Sequence, residues 1–243
     1  MLIINADDWG RSVLETDRAF DCFQRQRITS VSAMVFMNDS ERAAELARRS
    51  GLPAGLHLNL SEPFTGVRPD AGTAAGHEQI VRFLMSSKYA VLIYNPWLRL
   101  KLRQTFQAQL DEFVRLYGQS PTHIDGHQHR HLWANLLFEE VIPRGQRVRR
   151  SFSFWPGEKG LLNRSYRRWV DRGLQSRYRV TDFFFSLRHG LQHQRLHRVF
   201  SLARTAKVEL MTHPKEAAEF EYLMSAECEA QFRSVPMNSY LAV

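Results

Sequence analysis

Cysteine is nearly missing from this chain of 243 residues. The two present, Cys22 and Cys228, are too few for a disulfide framework and lack metal-ligand spacing, so a reducing cytoplasm is expected. Long apolar runs are missing too, and no segment is expected to span a bilayer. The opening stretch, Met1-Leu2-Ile3-Ile4-Asn5-Ala6-Asp7-Asp8, turns acidic after three apolar positions and lacks a basic start, which argues against an ordinary signal peptide. Repeats and low-complexity tracts do not occur, which excludes a solenoid. Carboxylates are in the minority, 25 Asp and Glu against 33 Lys and Arg, for a net charge of +8. Most of the excess is arginine, concentrated at 144–150 and 164–179. Such a balance suits nucleic acid, an anionic membrane surface or an acidic substrate, and equally a solvated basic face. Tyr166, Trp169 and Tyr178 among these arginines stand at helical spacing and read as packing residues.

What is present is ordinary globular composition, 44% hydrophobic and 24% charged, in a length that can bury a sizeable core. Strand-type runs at 2–6, 28–36, 54–60, 121–125, 147–152, 180–185 and 207–212 alternate with helical patterns. The first helix, about 12–26, has Val13, Ala19, Phe20 and Phe23 as candidate buried positions and Glu15 and Asp17 as surface charges. Asn38-Asp39-Ser40 supplies N-cap chemistry for the second. A single helix is expected over 217–232. The alternation predicts an α/β fold, one β/α barrel over 1–243, distorted and of about seven strands. A helical insertion at about 78–117 carries Phe83, Tyr89, Ile93, Tyr94 and Trp97, apolar enough to cover a site or to join subunits in a homo-oligomer.

The densest chemistry is Thr122-His123-Ile124-Asp125-Gly126-His127-Gln128-His129-Arg130-His131. At a strand end His123, Asp125 and His127 point one way. Imidazole is the commonest metal-ligand side chain, and a neighbouring carboxylate can fix its tautomer. Asp7 and Asp8, His57, Asp125, Asp182 and His213 fall at or just after other proposed strand ends, the rim where barrel sites are built. Asp8, His57 and His127 together make a one-carboxylate, two-imidazole set suited to Zn²⁺, Fe²⁺, Co²⁺ or Ni²⁺, with positions left open. Asp7 then suits a general base and His213 a proton donor, with Asp125 tuning a histidine. His189, His193 and His197 share a helix face if one helix holds them, and read as solvated.

Four stretches carry a resemblance: Asn5-Ala6-Asp7-Asp8-Trp9-Gly10, Gly55-Leu56-His57-Leu58-Asn59-Leu60, Pro121 to His129, and Glu209-Leu210-Met211-Thr212-His213-Pro214. In that order they resemble the motifs of the YdjC-type carbohydrate deacetylases, a family that includes chitooligosaccharide deacetylases and hopanoid-biosynthesis-associated members. The resemblance implies a barrel-like fold and removal of N-acetyl groups from an amino-sugar oligosaccharide or glycolipid. It implies one divalent metal, Zn or Mg first, held by Asp8, His57 and His127, with Asp7 as base and His213 at the proton-donor position. Asn59, His123, Asp125 and His129 are then second-layer or substrate-facing residues. Trp9 stands where the family more often has Phe, and residues 61–119 match no motif. Two other readings are a hydrolase of another bond, such as a phosphoester held by the arginines, and a non-catalytic basic binding protein. The sequence favours a cytoplasmic enzyme with access to an anionic membrane surface or a lipid-linked sugar, and not a nucleic-acid binder.

Overall fold

The computed structural model describes residues 1–155 and 157–243. Six strands form one parallel sheet: β1 (Leu2–Trp9), β2 (Ser30–Ala33), β3 (Ala54–Leu58), β4 (Ile124–Gly126), β5 (Phe183–Ser186) and β6 (Val208–Thr212). Their order is β4-β3-β2-β1-β6-β5, which places β1 near the middle. Almost every strand residue is buried, as expected where helices cover one face and side chains fill a barrel interior on the other. The sheet curls into a half-barrel within a single helical layer.

The crossovers are α1 (Val13–Gln24) and α2 (Ser40–Ser50), then α3 (Ala71–Met85) and α4 (Arg99–Tyr117) between β3 and β4. After β4 come α5 (Ala134–Glu139) and α6 (Leu161–Gln175); after β5, α7 (Leu187–Gln192) and α8 (Leu196–Ala203); after β6, α9 (Ala217–Met224) and α10 (Ala226–Phe232). Leu102, Phe106, Phe113 and Leu116 of α4 are buried and α4 packs on β3, with α3 lying against α4. The C-terminal tail returns to the base of the barrel. There Leu2 and residues 236–238 exchange backbone bonds, and the buried Tyr240 ring stacks 3.7 Å from His123.

The seventh expected strand, 147–152, occupies the gap between β4 and β5 without becoming a regular strand. Ile124 N–H donates to Arg147 O at 2.8 Å and Arg149 N–H to Ile124 O at 3.1 Å. On the other side Val148 N–H reaches Arg179 O at 2.9 Å and Ser153 N–H reaches Phe184 O at 2.8 Å. Between those two bonds the ladder is broken, because Ser151 N–H donates to the Asp171 carboxylate of α6 at 3.0 Å. The segment is therefore a seam that closes the barrel.

Other local expectations are corrected. Val13 is exposed, whereas Glu15 is buried between Arg11 at 3.4 Å and Lys215 at 3.0 Å. Asp39 does not cap α2, because Arg42 takes both its oxygens at 2.8 and 2.7 Å. The closing helix is two, broken where Ser225 is extended and its hydroxyl caps α10. Asp182 sits at the entry of β5, accepting from Lys207 N–H at 2.8 Å, at the opposite end from the rim. His189 and His197 belong to separate helices, α7 and α8, so the three histidines share no face. Tyr166 and Trp169 are exposed rather than packed.

Candidate active site

In a regular strand Asp7 and Asp8 would point to opposite faces. Here the register between β1 and β2 shifts between Ala6 and Trp9, and Asp8 takes a left-handed backbone with φ of 65°. Such a bulge re-aims a side chain. Asp8 Oδ1 thereby comes 2.9 Å from His127 Nδ1 and 3.5 Å from His57 Nε2. Burial alone would raise the Asp8 carboxyl, but the hydrogen bonds and charges of His127 and His57 hold it well below the usual carboxylate range.

His57 on β3 and Asp125 on β4 are register partners. His57 Nδ1 is 2.8 Å from Asp125 Oδ1, so the Nε2 edge faces Asp8. Burial would lower His57, yet Asp125, Asp7 and the bonds to Asp125 and Asp8 push it up to about 10. His127 follows β4 in a short 3-10 turn whose Gln128 and His129 are left-handed, and that turn swings its ring back over the rim. The His57 and His127 rings lie 5.5 Å apart at 77°. Glu62, in the loop after β3, is 3.7 Å from His127 Nε2.

Ligand-capable atoms of Asp8, His57 and His127 lie within 4.8 Å of one another, all on buried side chains. A second buried trio, Asp7, His57 and Asp125, shares His57. The first set fits a divalent cation: one anionic oxygen and two imidazoles converge, and a carboxylate behind His57 fixes its tautomer.

The residue that organises this ground is Arg149, 0% exposed and carried by the seam. Its guanidinium binds Asp7 at 2.7 and 2.7 Å, Asp125 at 2.5 Å and Glu209 at 2.7 Å. Asn5 adds a bond to Asp7 Oδ1 at 2.9 Å, and Ser32 Oγ donates to Asp125 Oδ2 at 2.9 Å. Burial pushes Glu209 up to about 7, against the lowering effect of Arg149 and the Tyr240 hydroxyl. Arg149 was grouped in sequence with a basic run. A signal was there in principle: three carboxylates on buried strands need a cation, and an arginine in a strand-type stretch can supply it.

The remaining expected residues are spread over several depths. His123 lies one layer deeper, 3.0 Å from Ser32 Oγ and 3.0 Å from Thr122 Oγ1, and burial pushes it down to about 3. Its ring occupies the space a Cβ on Gly55 would fill, 2.3 Å away, which is why β3 needs glycine there. Asn59 shapes the loop that presents Glu62, accepting from Ser61 and Glu62 N–H at 3.2 and 3.1 Å and donating to Glu62 O at 2.9 Å. His129 packs edge-on against Phe152 at 4.5 Å, beside Phe184. His213, half-buried after β6, has its N–H bound by Glu219 at 2.9 Å. Glu62 and Arg11 were not foreseen. Arg11 forks onto Glu62 at 2.8 and 2.8 Å and lies 3.7 Å from Asp8 Oδ2, forming one lip of the site.

Known proteins resemble this chain throughout its length. A mouse protein named carbohydrate deacetylase is 34% identical over 88% of this chain and 77% of its own. A Serratia marcescens chitooligosaccharide deacetylase is 33% identical over 54% of this chain and 51% of its own. A crystal structure of an Enterococcus faecalis V583 protein assigned to cellobiose-phosphate cleavage superposes with a TM-score of 0.70. It covers 99% of this chain and 97% of its own at 18% identity, which speaks to the fold alone. The family description "YdjC-like protein" matches residues 1–234, and the chain belongs to the YdjC-like family.

Proposed function

We propose that this protein is a metal-dependent hydrolase that removes N-acetyl groups from an amino-sugar substrate. The observation that carries the reading is the convergence of Asp8, His57 and His127, from three separate segments, beside Asp7. The relatives' names supply the substrate class. Asp8, His57 and His127 would hold one divalent ion, and two imidazoles favour Zn²⁺ over Mg²⁺, which prefers an all-oxygen shell. A bound ion would polarise the amide carbonyl and make the attacking water more acidic.

The chain's own residues do the rest. Arg149 and Asn5 fix the Asp7 carboxylate, whose remaining lone pairs take the proton from the water. Oxygen bonds to the carbonyl carbon, the C–N bond breaks, and His213 gives a proton to the departing amine nitrogen. Acetate and the free amino sugar leave. Asp125 holds His57 in one tautomer, and Asn59 holds the loop that places Glu62 at the mouth, where Glu62 holds Arg11.

Phosphoester hydrolysis finds less support, since the nearby cations are already committed. Arg149 is shared among Asp7, Asp125 and Glu209, Arg11 is held by Glu62, and Arg150 by Asp171 at 2.6 Å. The test is acetate release from N-acetylglucosamine and chitooligosaccharides, with and without a chelator. Release that a chelator stops, and that Asp7→Asn lowers by about 10²–10⁴-fold, is the expected result. Protein that retains its ion yet frees no acetate from any N-acetylated sugar would overturn it.

A further inference from the structure

Helix α6 has two apolar faces. Val170 and Leu174 point inward and are buried. At 100° per residue Leu161 falls opposite that face and Leu162 and Trp169 on its flank, and they are exposed by 79%, 89% and 55%. Arg168 and Arg172 project from that same outward side, exposed and without an ion pair among the described residues. The apolar surface continues beyond the helix. The Trp169 ring lies 6.2 Å from exposed Phe138, which lies 6.2 Å from Tyr94 in the stretch between α3 and α4. That stretch adds Ile93 and Trp97, the latter 84% exposed, while Lys88 stands over the Tyr89 ring.

Position and charge say what this surface meets. Each strand runs toward the candidate site, so a helix that leads into the start of the next strand runs away from it. Helix α4 leads into β4 and α6 into β5, so their first turns, with the stretch before α4, lie at the site end of the barrel. The stretch is pinned there: Trp133 Nε1 donates to Ile93 O at 2.9 Å, and the Asn95 backbone exchanges two bonds with the Asn135 side chain at 2.7 and 2.7 Å. A contiguous apolar patch of this kind marks an interaction site. Aromatic and leucine side chains interleaved with unpaired arginines match the boundary of an anionic bilayer, where rings sit at headgroup depth and arginines meet lipid phosphate. A second copy fits less well, because a twofold contact through α6 would set Arg168 and Arg172 against their own counterparts.

We propose that the aromatic and basic surface of α6, Phe138 and the stretch before α4 docks the protein on an anionic lipid bilayer. The proposal is independent of the hydrolase reading. It is tested by flotation of the full chain with vesicles of phosphatidylcholine alone and of phosphatidylcholine mixed with phosphatidylglycerol. Co-flotation is expected with the mixed vesicles only, and it should weaken as salt is raised. Arg168→Gln with Arg172→Gln should lower the partition coefficient by about thirtyfold, and Leu162→Ser with Trp169→Ser by at least about tenfold. Both pairs are exposed and outside the catalytic machinery, so unfolding midpoints and turnover of a soluble substrate should stay unchanged. Protein that remains unfloated with mixed vesicles overturns the proposal, as does flotation that neither pair weakens. A concentration-dependent dimer abolished by Leu162→Ser with Trp169→Ser also overturns it, in favour of a subunit contact.

Discussion

At the scale of single residues, Arg149 shows what one position can decide. Burying a guanidinium costs several kcal/mol unless anions meet it, and three do. Arg149→Met should leave Asp7, Asp125 and Glu209 facing one another and cost about 3–5 kcal/mol. A lower urea midpoint at unchanged denaturant sensitivity would show it; an unchanged midpoint would mean the carboxylates relax by protonation. His57 makes a second prediction. Held up at about 10 by Asp125 and Asp7 against its burial, it carries a proton at neutral pH in the metal-free protein. Metal uptake at pH 7 should therefore release protons, read as a binding enthalpy that varies with the buffer's ionisation heat. Asp8, His57 and His127 were legible because their residue types announce metal chemistry. Arg149, Glu62 and Arg11 were not, since an arginine or glutamate shows its partners only once the chain is folded.

At the scale of elements, neighbouring strands were readable from alternation and apolar content, and six of the seven expected runs hold strands. Boundaries were less so. Helix α2 begins beside an aspartate that Arg42 has claimed, and the seam at 147–152 loses its ladder to a carboxylate on α6. Such competition between side chains and backbone is invisible to periodicity. The contact of β3 with β4 offers a direct test. Gly55→Ala should destabilise the protein by about 1–3 kcal/mol, because a Cβ there meets the His123 ring at 2.3 Å. Adding His123→Ala should recover part of that loss, measured as a double-mutant coupling in thermal or urea unfolding. Two independent, additive losses would show that ring and glycine do not share the space.

For the whole molecule, buried histidines tie stability to pH. Burial pushes His77 to about 4, His123 to about 3 and His131 to about 4, so the folded protein keeps them neutral. At these positions the unfolded chain takes up protons below about pH 6.5, so their contribution is full above that value and is lost as pH drops toward 4. Each contributes a loss of about 1–2 kcal/mol between pH 6.5 and 5. His57, shifted upward, keeps its proton in the folded state and works in the opposite sense: its contribution is full below about pH 6.5 and is lost as pH rises from there toward 10. Unfolding midpoints should therefore fall steeply with acid, and His77→Gln should flatten the curve. The barrel itself was visible in the order of strand and helix patterns, whereas its closure was not. Since the seam between β4 and β5 is also the segment that delivers Arg149, closing the wall and charging the site are one event. With that wall open, Asp7, Asp125 and Glu209 would lose the cation they share, so the closure of the sheet and the charge balance of its interior stand or fall together.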